Sequence, residues 1–149
     1  MTALESMRCV VLGGGGFIGT NLCRRLVNRV SHLKAFGRRQ SFPDALNSVP
    51  WVQGDFNDPL SVAAAVEDCD IVFHLVGTTT PADANIDKAA DLRSNVMSSL
   101  QLLEACRLGR KKRVVFISSG GTVYGIPKTI PTVMETRKAR AMEPAVTRR

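Results

Sequence analysis

The sequence predicts an α/β fold: a doubly wound parallel sheet of about five strands with helices on both faces. Three observations predict it. Short apolar runs alternate with amphipathic ones along the chain. The first run, Val10-Val11-Leu12, ends in four glycines, Gly13 to Gly16, and a helical pattern starts at once. The 149 residues, 44% of them hydrophobic, suffice for one domain with a real core. A glycine turn after the first strand makes the alternation a Rossmann arrangement with strand order 3-2-1-4-5. Its ligand crevice lies at the carboxyl ends of strands 1 and 4.

Arg8 to Leu12 reads as a buried strand. From Phe17 to about Arg29, Phe17, Ile18, Leu22, Leu26 and Val30 recur at helical spacing, with Arg24, Arg25 and Arg29 opposite. Leu33 to Phe36 is a second strand. Gln40 to Pro50 is a polar loop with at most one helical turn, and Trp51-Val52-Gln53 a short third strand. Asp58 caps a helix that begins at Pro59 and runs to about Val66. Ile71 to Val76 is a fourth strand, apolar on both faces as a central parallel strand should be. Thr78-Thr79-Thr80-Pro81 is a loop. A long helix follows, roughly Asp87 to Leu108, with Leu92, Val96, Leu100 and Leu103 on one stripe. Arg110 to Arg113 is a basic run at its end, favoured by the helix dipole. Val114 to Ile117 is a fifth strand, and as a sheet edge it predicts poor solubility or self-association. Residues 132–149 show no period and hold Arg137, Lys138, Arg140, Arg148 and Arg149 against Glu135 and Glu143. The expected organisation is a Rossmann domain over 1–131 and a basic, disordered tail over 132–149.

Composition narrows the function. The net charge of +7 admits nucleic acid as a partner, but one Trp, one Tyr and no interleaving of aromatic with basic residues argue against it. No apolar run is long enough for a membrane span, and the first six residues lack the apolar region of a signal peptide. Cys9, Cys23, Cys69 and Cys106 form no CxxC pair and read as buried free thiols of a cytoplasmic protein.

The glycine stretch fits both Gly14-x-Gly16-x-x-Gly19 and Gly13-x-x-Gly16-x-x-Gly19. Backbone N–H groups at a helix start suit a pyrophosphate. Where an NAD site carries a carboxylate after strand 2, this chain has Gly37-Arg38-Arg39, and no carboxylate lies between Glu5 and Asp44. Arg38 and Arg39 either grip the 2′-phosphate of NADP or are solvated loop charges. Asp55, with Phe56, stands at the end of strand 3, facing adenine or shaping a turn. Leu75-Val76-Gly77-Thr78 ends strand 4, where a glycine admits a ligand to the backbone. Asn95, inside the long helix, is either exposed or reaches back to that loop. Ser118 to Gly125 brings hydroxyls to where a substrate would meet a cofactor. Tyr124 and Lys128 have the Tyr-x-x-x-Lys spacing, but Gly125 and Pro127 make a helix between them unfavourable.

Together, the glycine turn, Gly54-Asp55-Phe56, His74-Leu75-Val76-Gly77, Asn95 and Ser118 to Gly125 resemble the extended short-chain dehydrogenase/reductases. More narrowly, they resemble the NAD-dependent epimerase/dehydratase group that includes UDP-glucose 4-epimerase. The resemblance covers about residues 8–131. It implies an NAD cofactor that takes and returns a hydride, and a nucleotide-sugar substrate. It places Gly13, Gly16, Phe17, Ile18 and Gly19 at the pyrophosphate and Asp55 and Phe56 at adenine. Leu75, Val76, Gly77, Thr78 and Ser118 line the cofactor, and Asn95 supports the loop. The substrate-binding Ser or Thr of the group falls on Gly120, for which Thr122 could substitute. The catalytic Tyr-x-x-x-Lys helix of the group would fall near Ala145 and Arg149, where neither residue type stands. The expectation is therefore a truncated or frameshifted chain, the cofactor-binding portion of such an enzyme and inactive alone. The alternative is a non-catalytic NAD(P)-sensing module.

Overall fold

In the computed structural model, residues 4–77, 81–108 and 111–118 are described, the side chains of 81–83 excepted. Five parallel strands, β1 (Arg8–Leu12), β2 (His32–Gly37), β3 (Trp51–Gln53), β4 (Ile71–His74) and β5 (Arg113–Phe116), form one sheet in the order β3-β2-β1-β4-β5. The chain thus reverses its direction of growth between β1 and β4, which opens a crevice at their carboxyl ends. Cys9, Val10, Val11 and Leu12 of β1 are all completely buried, because both faces of this strand are covered. Val10 and Leu12 join Phe36, Val62, Val66 and Leu102 on one face. Cys9 and Val11 join Cys23, Leu26, Ala35 and Leu46 on the other. These strands and helices belong to one unit that ends at Ile117.

Helix α1 (Phe17–Leu26) follows β1, and a single 3₁₀ turn (Pro43–Leu46) lies between β2 and β3. Helix α2 (Pro59–Val66) begins as the sequence predicts. The Asp58 carboxylate accepts from the N–H groups of Leu60 and Ser61 at 3.2 and 3.3 Å and from the Ser61 hydroxyl. These bonds, the Ser61 hydroxyl first, hold Asp58 below the usual carboxylate range. Asp58 is a cap.

Three expectations are corrected. First, α1 is shorter than predicted and buries Gly19, Thr20, Cys23 and Leu26, while Phe17 and Ile18 stand exposed. Within the first turn, Gly19 and Thr20 face the glycine turn, while Phe17 and Ile18 point the other way. Second, β4 stops at His74, two residues before the predicted end. Leu75 still donates to the Leu12 carbonyl, but the next N–H, of Val76, turns to the His74 ring. Third, a short helix that was not predicted, α3 (Pro81–Ile86), comes first, and the predicted long helix is divided into α4 (Lys88–Asp91), a π-helical turn (Leu92–Met97) and α5 (Ser98–Arg107). Asp87 caps α4, accepting from Ala90 N–H. The stripe Leu92, Val96, Leu100 and Leu103 faces outward, and α5 buries Ser98, Leu102 and Cys106 instead. The Ser98 N–H reaches the Arg93 carbonyl, five residues back, which rotates everything after it.

All four cysteines are free and buried. Burial pushes the Cys9 and Cys23 thiols up to about 11, so neither supplies a thiolate near neutral pH. No helix among the described residues is long and apolar enough to cross a membrane. Thr78, Gly120, Thr122, Tyr124, Lys128 and the basic segment 132–149 lie outside the described residues.

Candidate dinucleotide-binding site

The site is built on the turn from β1 into α1. Gly13 has φ +82°, a left-handed conformation that disfavours any side chain. The N–H groups of Gly13 and Gly14 both donate to the Phe36 carbonyl, at 2.9 and 3.1 Å, which ties the turn to β2. A Cβ on Gly19 would collide with the Gly13 carbonyl and come within 2.7 Å of Gly14 Cα. Gly19 therefore lets α1 sit against its own entry turn. The Thr20 hydroxyl donates to the Gly14 carbonyl at 3.2 Å from the same helix. A Cβ on Gly14 would in turn lie 2.7 Å from Ala35 Cβ, so the first glycine of both spacings, Gly13 and Gly14, is required by the fold.

Gly16 differs from the rest. It has ordinary extended backbone angles, φ −79° and ψ 173°, and a Cβ there would meet nothing closer than the Gly13 carbonyl at 3.5 Å. Neither its conformation nor the protein around it requires a glycine. Gly16 is also the N-cap of α1, which no side chain caps and whose first turn carries no acid. The helix start is left to an outside acceptor, and the dipole favours an anion.

The loop after β2 closes over this turn. Ser41 N–H donates to the Gly15 carbonyl at 3.0 Å, and a Cβ on Gly15 would strike the Arg39 carbonyl. The Trp51 ring lies 3.0 Å from that Cβ position and 3.1 Å from the corresponding one on Gly37. The backbone of Arg38 and Arg39 is thereby held at the crevice while both side chains stay exposed. Neither guanidinium is ion-paired with a described residue. Across the crevice, the Asp55 carboxylate accepts from Asn57 N–H at 2.9 Å through Oδ1. It both shapes a turn and faces the opening.

The crevice encloses about 680 Å³, within the range of small-molecule sites. Of the residues expected at a cofactor, Gly13, Gly16, Arg38 and Arg39 line one side, and Asp55, Phe56, Leu75, Val76 and Gly77 the other. Phe17, Ile18, Gly19 and Asn95 do not line it. Phe17 and Ile18 contribute the first turn of α1, and the Phe17 ring meets Phe42 edge to face at 6.4 Å. Asn95 sits on the π turn and donates to Asp91 Oδ1 at 2.8 Å. Ser118 is exposed. Gly37, named with Arg38 and Arg39, lines it too, and so do Gly15, Phe36 and Gly54, which were not expected there. Gly54 had a signal, since it ends a strand next to Asp55, and a Cβ on it would strike the Phe36 ring.

The model of the NAD dependent epimerase/dehydratase family matches residues 9–145. UDP-glucose 4-epimerase of Mycolicibacterium smegmatis is 35% identical over 135 residues, covering 85% of this chain and 43% of that protein. 2-alkyl-3-oxoalkanoate reductase of Stenotrophomonas maltophilia is 35% identical over 118 residues, covering 79% and 35%. Among solved structures, the UDP-glucose-4-epimerase of Stenotrophomonas maltophila, with bound NAD and formylated UDP-arabinopyranose, matches with a TM-score of 0.74 at 27% identity. It covers 93% of this chain and 44% of that one. The chain thus spans less than half the length of the relatives it matches. The order of its strands, the glycine turn between β1 and α1 and the reach of the family match show that this chain belongs to the NAD-dependent epimerase/dehydratase family.

Proposed function

We propose that this chain is the cofactor-binding portion of an NAD(P)-dependent nucleotide-sugar epimerase or dehydratase. The uncapped start of α1 at Gly16, where a Cβ would meet only the Gly13 carbonyl at 3.5 Å, carries the reading. A pyrophosphate fits there, against backbone N–H groups and the positive end of the helix dipole. Asp55 and Phe56 hold the adenosine end, and Leu75, Val76 and Gly77 the other side. When bound, a nicotinamide dinucleotide supplies a hydride acceptor and donor. The dinucleotide domain extends over 1–131, with 132–149 a basic tail. Thr122 is the candidate for the sugar. The one tyrosine, Tyr124, is separated from Lys128 by Gly125 and Pro127, so this chain alone should not turn over a nucleotide sugar. The test is a titration followed by the fluorescence of Trp51, the one tryptophan, which packs under the site. Saturable quenching by NAD or NADP is expected, and none with either would overturn the reading.

Arg38 and Arg39 point to NADP. Two guanidiniums at the end of β2, unpaired among the described residues, suit a 2′-phosphate, and a charge-assisted hydrogen bond contributes about 1.5–3 kcal/mol. Replacing both by Ala should weaken NADP about tenfold or more while leaving NAD within about threefold. Equal losses for the two nucleotides would make both arginines bystanders.

β5 supports self-association. It is the last strand of the described sheet, and Val115, Phe116 and Ile117 are 38%, 61% and 49% exposed. Sedimentation should show concentration-dependent association that Ile117→Lys reduces. A monomer at every concentration would refute it.

A further inference from the structure

His74 ends β4, is only 3% exposed, and lies just behind the crevice. Its ring makes two hydrogen bonds. Val76 N–H, which has left the sheet ladder, donates to Nδ1 at 3.3 Å. On the other side Nε2 lies 2.9 Å from Ser99 Oγ. The Ser99 hydroxyl has one proton, and it goes to the Asn95 carbonyl. Ser99 Oγ must therefore accept from Nε2–H, while Nδ1 can only accept from Val76. Both bonds select the same species, a neutral imidazole protonated at Nε2. The ring is held between Phe56, with centroids 4.8 Å apart, and the edge of Phe116 at 5.1 Å.

Among the described residues, the charges on the elements around His74 are engaged or lie elsewhere. β1 places Leu12 beside His74, and its Arg8, at the far end, is paired with Asp68 and Asp70. β5 places Phe116 there, with Arg113 at the far end opposite Ile71. On α5, Glu104 and Arg107 pair with each other. Asp91 on α4 takes the Asn95 amide, and Arg93 follows it on the π turn. Asp55 on the turn after β3 takes the Asn57 N–H. Burial holds the His74 ring below the usual histidine range.

We infer that His74 is a positioning residue for the crevice: its neutral ring fixes the Val76 backbone and the Phe56 ring, two crevice walls, against α5, and dinucleotide affinity depends on the acceptor at Nδ1. The inference rests on the crevice being the dinucleotide site. A proton on Nδ1 would set two donors against each other and release Val76. Binding should therefore weaken on acidification.

Two amides separate the two bonds. His74→Asn keeps an acceptor at the δ position, as in an Asx-turn reaching N–H of residue i+2, and loses the Ser99 bond. His74→Gln reaches toward Ser99 and offers Val76 nothing. With folding checked by circular dichroism, His74→Asn should bind NAD(P) within about threefold of the parent. His74→Gln should bind at least about tenfold more weakly. Because burial holds His74 below its ordinary value of 6.5, the parent should lose affinity only as pH falls below about 6.5, and His74→Asn should not. Equal affinities for the two variants, or the reverse order, would overturn the inference. A cofactor-free measurement keeps it testable if the parent binds no dinucleotide, which would count against the crevice reading instead. The ¹⁵N shifts of the His74 ring should show a bare Nδ1, and Val76 amide exchange should be slow in the parent and His74→Asn but fast in His74→Gln. A protonated Nδ1 at neutral pH, or Val76 exchange indifferent to His74, would refute it.

Discussion

Gly19→Ala is expected to destabilise the fold severely, whereas Gly16→Ala is expected to leave it folded with weakened dinucleotide affinity. The same methyl group meets opposite surroundings three residues apart. On Gly19 it would strike the Gly13 carbonyl and press on Gly14 Cα, backbone atoms held by their own hydrogen bonds to the Phe36 carbonyl. No side chain can rotate away, so relief requires moving α1 off β1. Overpacking commonly costs 1–3 kcal/mol, and a collision with backbone belongs at or above about 3 kcal/mol. That is a large share of a domain's typical stability of about 5–15 kcal/mol. On Gly16 the methyl meets only open space and the Gly13 carbonyl at ordinary contact distance. Alanine also accepts the Gly16 backbone angles, so thermal unfolding should shift by no more than a few degrees. The open space is where a pyrophosphate would approach the N–H groups of α1. Affinity for NAD and NADP should fall at least about tenfold. A Gly16→Ala protein that binds normally would move the anion site away from the helix start.

Much of the architecture was legible because strand burial has a simple signature. A strand covered on both faces must be apolar throughout, and Cys9 to Leu12 and Ile71 to Phe73 are. Asp58 announced a helix start as a short carboxylate before a helical run, and Asp87, which was not read as a cap, serves another in the same way. The glycine turn was legible as a turn, but the division of labour within it was not. That Gly19 serves the fold and Gly16 leaves space depends on where the Gly13 carbonyl points. Arg38 and Arg39 were placed at the crevice from position alone. The way Gly15 and Trp51 seat their loop is a contact between distant segments that no local pattern encodes. His74 carried one weak signal, a polar residue ending an otherwise apolar strand. Its tautomer depends on the Ser99 hydroxyl, 25 residues away, and on where that proton goes.

The helix ending in α5 is where periodicity misled, and it yields the second large effect. Leu102→Ala should cost about 2–5 kcal/mol, while Leu103→Ala should cost no more than about 0.5 kcal/mol. Leu92, Val96, Leu100 and Leu103 make the more hydrophobic stripe, so hydrophobicity alone would bury Leu103. In the fold Leu103 is 51% exposed and Leu102 is completely buried, in the cluster with Val62, Val66 and Leu12. The buried face includes Ser98, which α-helical pattern reading counts as polar. Ser98 is accommodated because its hydroxyl donates to Asn57 Oδ1 at 2.8 Å, so no polar atom is stranded. The π turn makes this possible. A bond spanning five residues takes up an extra residue and swings the following helix around its axis, bringing Ser98 to Asn57 and Ser99 to His74. Chemical denaturation of the two alanine variants separates the alternatives. A larger loss at Leu103 would mean that α5 packs in the register hydrophobicity suggests. In that register Ser99 would not face His74, and the positioning of Val76 at the crevice would lose its support.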